Sequence, residues 1–419
     1  METQRPYDWM STTPVRVTQG AAVFARRSFR SRVSVLLALP LLVAACGSKS
    51  TATKETTTTA APAAVAATDG PAVTDGATSG TSATADTNTP KDSSAPVDTA
   101  GSSDTSASPV TTPLGDPKSL TIGYSAWPGW FPLAVAEKKG FFTAAGLKVD
   151  LKYFIDYTAS LDALVAGKVD VNAQTLNDTI FAVASGAKQK VVVVNDNSTG
   201  NDEIICDASV ASIKDLAGKT VAAEAGVVDH FLLLQGLATV KLTEKDIKFK
   251  GVKTDAAAAA FAGGQFDCVG VFAPFTLQAL KRPNSKVLFS SKDFPGAIPD
   301  HLVATEKAAA DPEAMQRLVN AWYQTIDWIS DNPDEAVAIM AEKAGVSVDE
   351  YKGLEKGTTI FTPAEALKAF EDRANDPTSL PEMARRINPF LVSSGLAKAE
   401  APLDGLFEAA YTKHYAGTL

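Results

Sequence analysis

The sequence predicts an α/β fold built as two lobes. Three observations carry that expectation. From Ser119 onward short apolar runs alternate with helix-like segments, the alternation comes in two consecutive sets, and a mostly helical stretch follows from Pro312. The 419 residues are enough for two such lobes and a substantial core.

In the first set Leu120–Tyr124 is a strand and Leu133–Phe142 a helix stopped near Gly146. Leu147–Phe154 is a strand, Ser160–Ala166 a helix closed by Gly167, and Val169–Ala173 a strand. Thr179–Ser185 is a helix closed by Gly186, and Lys190–Val194 a strand. The second set has strands at Glu203–Cys206, Thr220–Ala223, Ile247–Lys250, Cys268–Phe272 and Lys286–Phe289, with helices at Val228–Leu237, Ala256–Ala262 and Phe275–Leu280. Residues 314–328 place apolar side chains at helical spacing, and Asn332-Pro333-Asp334-Glu335 opens a further helix with Pro in its first turn.

The N-terminal third has another character. A basic cluster at Arg26–Arg32 precedes an apolar run over residues 33–45 and then Cys46-Gly47, the layout of a secretory signal. The run, about 13 residues, is shorter than the roughly 20 a bilayer-spanning helix needs. Val43-Ala44-Ala45-Cys46 resembles the lipobox of bacterial lipoproteins, which implies a diacylglycerol on the Cys46 thiol after cleavage. Two acyl chains hold a protein stably on a membrane. An ordinary signal peptide with a chance Cys is the alternative. Residues 1–46 thus form the expected signal peptide, and residues 47–117, rich in Thr, Ala, Ser and Pro with no aromatic residue, a disordered tether. A coil of roughly 70 residues reaches about 45 Å. Residues 118–419 are the folded domain.

Charge excludes some partners. Residues 1–46 carry a net +4, which leaves −13 on residues 47–419 of a chain whose net charge is −9. Nucleic acid and anionic lipid surfaces both require clustered Lys and Arg. Three Cys and three His exclude a cysteine-rich zinc framework. Cys206 and Cys268 lie on expected second-lobe strands, and either a disulfide or two buried thiols suits them.

Several loops carry family text. Ile122-Gly-Tyr-Ser-Ala-Trp-Pro-Gly-Trp-Phe-Pro-Leu-Ala-Val-Ala-Glu-Lys-Lys-Gly-Phe-Phe142 resembles the opening strand and helix of the nitrate, sulfonate and taurine group of solute-binding proteins. Ala163-Leu-Val-Ala-Gly-Lys-Val-Asp170 and Ile213-Lys-Asp-Leu-Ala-Gly-Lys-Thr-Val221 resemble two further elements of that group. The resemblance spans about residues 119–410. It implies a bilobal type II periplasmic-binding-protein fold, with residues near 119–200 and 303–419 in one lobe and 203–298 in the other. It also implies a monomeric, extracytoplasmic protein that is not an enzyme and that hands a small polar solute to an ABC permease and its ATPase subunits. A sensor or an enzyme on the same fold is the alternative from another class.

Catalytic signatures fail. Gly218-Lys219-Thr220 resembles the end of a P-loop, but the first Gly that the loop requires is replaced by Ile213. No Gly-x-Ser-x-Gly, His-Glu-x-x-His or Cys-x-x-Cys is present, nor the Cys-rich signature of relatives that make a pyrimidine. His230, His301 and His414 stand far apart and are expected as rim or core residues, so no metal or cofactor is expected.

Ligands of open α/β sheets sit beyond the carboxyl ends of the strands and in clefts between lobes. The strand-end segments hold Asp156, Asp178, Asp196, Asp202, Glu224, Asp229, Asp255, Asp293 and Asp300, with Lys253 the only Lys or Arg among them. That inventory points to a small cation, or to the amine end of a zwitterion. Trp127, Trp130, Asp156, Asp178, Glu224 and Asp229 are the candidate ligand residues. The indoles would stack on the solute and the carboxylates pair with its N–H groups; guanidinium-like or amine compounds lead, taurine or sulfonate follows, and nitrate is third. Helix capping is the competing account of the acids that precede helices.

Overall fold

The computed structural model describes residues 115–417. Cys46, the expected signal peptide and nearly all of the expected tether lie outside the described residues. Strands run in chain order as β1 (Lys118–Ser125), β2 (Leu147–Phe154), β3 (Val171–Thr175), β4 (Gln189–Ser198), β5 (Asp202–Asp207), β6 (Thr220–Ala223), β7 (Lys248–Gly251), β8 (Cys268–Phe272), β9 (Ser285–Ser290), β10 (Pro299–Thr305) and β11 (Thr358–Ile360).

They form two sheets. The six-stranded sheet has the order β11-β4-β10-β3-β1-β2, and the five-stranded sheet the order β7-β6-β8-β5-β9. Within each, the βα units make parallel pairs, β1 with β2 and β3, and β6 with β7 and β8. The strands at the junction run antiparallel, β10 between β3 and β4, and β5 between β8 and β9. The chain therefore passes between sheets twice, after Ser198 and after Ser290. The two passages are tied by a 2.7 Å hydrogen bond between the Ser198 and Ser291 hydroxyls. Asn201 Nδ2 adds bonds to Leu354 O and Thr358 Oγ1.

Sequence patterning explains the layering. Val191–Val194 and Val269–Val271 are buried runs, as strands covered on both faces require. The helix Pro312–Asp331 packs on the helix Pro132–Lys139 and buries Leu318, Trp322 and Tyr323. Two boundaries differ from the sequence expectation for local reasons. The helix expected over Leu133–Phe142 breaks at Gly140, whose φ of +78° favours glycine, and resumes at Phe141. The helix expected from Ser160 begins at Tyr157, because the Asp156 carboxylate accepts the Ala159 N–H at 3.2 Å and caps the turn.

Cys206 and Cys268 are register partners on β5 and β8 and are joined as a disulfide. The bond closes a loop with a sequence separation of 62 residues. Equilibrium denaturation with and without reductant is expected to show a loss of about 2–4 kcal/mol on reduction, the scale set by loop-closure entropy.

Candidate functional site

The carboxyl end of β1 runs into the loop Ser125–Phe131, which turns its two indoles into the space between the sheets. Trp127 and Trp130 are 3% and 2% exposed. Trp127 Nε1–H donates to Asp196 Oδ1 at 2.9 Å, which fixes the indole against β4. Gly129 permits this approach, since a Cβ there would fall on the Asp196 carboxylate. The Trp130 ring lies 5.4 Å from Tyr157, the first residue of the helix Tyr157–Val165. Phe272, the last residue of β8, meets Tyr157 edge-on at 6.0 Å from the other lobe.

These four rings, with Thr175, Val228, Asp202 and Asp300, line a small cavity of about 10 Å³, the space of roughly one water. Asp202 begins β5, and Asp300 sits on β10 opposite both Thr175 and Asp196. Both Asp300 oxygens, Asp196 Oδ2 and Asp202 Oδ2 are buried with no donor among the described residues. Asp196 and Asp300 face one another as register partners on β4 and β10. None of Asp178, Asp196, Asp202, Asp229 and Asp300 is ion-paired among the described residues.

Electrostatics follow from that burial. Burial pushes the Asp202 carboxyl up to about 7 against a weaker opposing bond from Ser198. Burial pushes Asp178 up to about 7 as well, although hydroxyl bonds from Thr175 and Tyr157 oppose it. Asp196 and Asp300 are both raised, first by burial. Asp229 is raised well above the usual range by burial. Burial therefore favours the protonated form of each of these carboxyls.

The structure separates the sequence candidates. Trp127 and Trp130 wall the cavity. Asp178 lies behind it and accepts from Tyr157 Oη at 2.9 Å and Thr175 Oγ1 at 2.6 Å, the two groups that present themselves to the cavity. Asp156, Glu224 and Asp229 are not among its lining residues. Asp156 caps a helix and pairs with Lys253 at 2.8 Å. Glu224 accepts from Lys253, Thr158 and Thr254. Asp229 accepts the Glu224 and His230 N–H groups. Tyr157, Phe272, Asp202 and Asp300 line the cavity without having been singled out. Asp202 and Asp300 had a signal of their own: both sit in strands, so helix capping does not account for them.

Two of the histidines are engaged by neighbouring side chains. His230 stacks on Phe249 at 4.2 Å and bonds Glu244, and His301 Nε2 meets Thr179 Oγ1 at 2.8 Å. Among the described residues no group of three or more His, Cys, Asp or Glu is placed to hold a metal ion.

With this geometry in place, comparison with known proteins is informative. The profile described as NMT1/THI5 like matches residues 127–336, which include the two tryptophans, β3 to β10 and the cavity walls. The chain belongs to the NMT1/THI5-like family. Within that family setting, the taurine-binding periplasmic protein of Escherichia coli is 26% identical over 247 residues, covering 56% of this chain and 76% of that protein. The alkanesulfonate-binding protein SsuA of Xanthomonas axonopodis pv. citri, solved with MOPS, has 19% identity and a TM-score of 0.58, covering 70% of this chain and 99% of that one. At that identity the likeness shows the fold, which is the bilobal periplasmic-binding-protein fold. DSZB in complex with biphenyl-2-sulfinic acid, at 15% identity and a TM-score of 0.52, covers 72% of this chain and 99% of that one, and it shares the fold too. Fold alone therefore does not separate binding from catalysis. Sequence kinship does so at a coarse level: the chain is a substrate-binding protein of the group that includes the taurine- and sulfonate-binding proteins.

The raised carboxyls predict the pH dependence of the empty protein. Asp178 and Asp202 keep protons in the folded state up to about pH 7, whereas in the unfolded chain they release them near pH 4. Stability from these groups is present at low pH and is lost as pH rises through about 7. His230 and His301, kept neutral by burial, act in the opposite sense below about pH 6.5. Thermal unfolding of the protein with no solute added is expected to show a midpoint that falls from about pH 6.5, where the histidines cease to oppose, to about pH 8, the upper part of the fall coming from Asp196, raised to about 8. Asp202→Asn is expected to flatten that fall.

Proposed function

We propose that the chain captures a small organic cation bearing N–H groups, a guanidinium or an amine, between its lobes and delivers it to an ABC permease and its ATPase subunits. The observation that carries this reading is the pair of acids Asp202 and Asp300, whose buried oxygens lack a donor in a cavity walled by four aromatic rings, with Asp196 Oδ2 likewise without a donor on the strand beside Asp300. A buried anion without a partner is costly, and N–H donors of a cation would satisfy it. Ring faces of Trp127, Trp130 and Tyr157 favour a flat or alkylated cation. Asp178 supports the wall by fixing Tyr157 and Thr175. Asp156, Glu224 and Asp229 act at the rim and behind the wall.

A second reading rests on the names of the relatives, which favour a sulfonate or taurine over a simple cation. Trp130 Nε1–H is buried without a partner and would serve the sulfonate of a taurine-like zwitterion, with the ammonium at the carboxylates. In both readings the protein works outside the cytoplasm. Anchorage through a lipidated Cys46 on a tether over residues 47–117 completes the proposal. Its check is metabolic lipid labelling, which Cys46→Ala is expected to abolish.

A thermal-shift panel of guanidinium, alkylamines, taurine, alkanesulfonate and nitrate distinguishes the readings. A true ligand at 100 times its dissociation constant adds about 2.7 kcal/mol of stability. Guanidinium or an amine is expected to stabilise, and more strongly at pH 8 than at pH 6, because the carboxyls must release protons to bind it. Asp202→Asn and Asp300→Asn are each expected to weaken binding by about 1.5–3 kcal/mol, roughly tenfold to a hundredfold. Stabilisation by taurine alone favours the second reading. Stabilisation by alkanesulfonate or nitrate, with none by any cation or by taurine, overturns the cationic site.

A further inference from the structure

Besides the cavity, the lobes meet at a second place that a solute need not touch. Lys253 precedes the helix Thr254–Ala262 of the β5–β9 lobe, and its ammonium reaches across to Asp156 Oδ1 of the other lobe at 2.8 Å. The same ammonium holds Glu224 Oε1 of its own lobe at 3.0 Å. Thr158 Oγ1, again from the opposite lobe, donates to that Glu224 oxygen. Glu224 cannot swing away, because its other oxygen accepts the Thr254 N–H at 3.2 Å and the Thr254 hydroxyl at 2.9 Å.

We propose that Lys253, Asp156, Glu224 and Thr158 form a latch that holds the two lobes together over the cavity whether or not a solute is present. The rim ends of the latch differ in solvent access. The Lys253 and Asp156 side chains are 46% and 41% exposed, while Glu224 is 5% exposed. The exposed pair breaks readily on opening, and the buried acceptor keeps the ammonium in place for the next closure. Asp156 adjoins Tyr157, which meets Phe272 across the same gap, so breaking the latch and parting the rings belong to one motion. Lys253 is in this account a positioning residue for the solute: it touches no cavity wall and sets how long the cavity stays shut.

The test uses the full chain with no solute added, so its outcome is independent of the solute class. Hydrogen–deuterium exchange is read by mass spectrometry in segments 125–131, 155–160 and 224–231, with β3 and β8 as internal references. Lys253→Met removes both ion pairs. Asp156→Asn removes the crossing pair alone and keeps a side chain that caps the helix Tyr157–Val165. Both are expected to speed exchange in the cleft segments about two- to tenfold, the range of a partly exposed ion pair, with β3 and β8 unchanged. Lys253→Arg is expected to stay near the parent. Unchanged exchange in both Lys253→Met and Asp156→Asn overturns the latch, as does acceleration that is equal in the cleft and in β3 and β8.

Discussion

The double passage of the chain between two sheets is the constraint on which the rest depends. The chain leaves the first sheet on β4 and returns to it on the neighbouring β10, and it enters the second on β5 and leaves it on the neighbouring β9. Residues at those ends are covered by strands laterally and by a lobe on either side. Asp196, Asp202 and Asp300 all stand there, and each is at most 1% exposed. A carboxylate so placed has three ways to be satisfied: a proton, a donor from the protein, or a donor from a guest. The protein supplies one donor to Asp196, from Trp127, and a hydroxyl to Asp202. The remaining oxygens have no donor among the described residues, which is why burial raises these carboxyls.

The aromatic wall follows from the same placement. Trp127 is drawn to β4 by its bond to Asp196, and Gly129 lets the loop lie close enough for that bond. Trp130 then stacks toward Tyr157, and Tyr157 is held by Thr175 and Asp178. One buried acid thus orders the first lobe's half of the cavity, while Phe272 and Val228 close it from the second. At the rim, charge is handled in the opposite way. Asp156 and Glu224 have a basic partner in Lys253, whereas Asp202 and Asp300 have none among the described residues.

Relatives and geometry speak to different levels. Sequence kinship with taurine- and sulfonate-binding proteins fixes the family and the general role. The lining of this cavity is chemically unlike an anion cradle: its ionisable walls are carboxyl groups, and its one unpartnered donor is an indole N–H. Fold and family therefore set the general role, and the solute is a property of the site alone.

Much of the architecture was legible in the sequence because it depends on local pattern. Strands followed the short apolar runs, helices closed at Gly167 and Gly186, and β2, β6 and β8 matched residue for residue. Trp127 and Trp130 stand out in the sequence as two indoles just after the first strand, and the structure puts both in the cavity wall. The acids were ambiguous for a local reason too. Asp156, Asp178 and Asp229 precede or open helices, and Asp156 does cap its helix. What the sequence by itself determined was two α/β lobes, an acidic interlobe cleft and its tryptophans. The tertiary structure alone decided which acids remain unpaired, because pairing depends on whether Lys253, nearly one hundred residues from Asp156, arrives beside it. It also decided that strand acids far apart in the chain, Asp196 and Asp300, lie opposite one another, since register between β4 and β10 is set by the packing of the whole lobe.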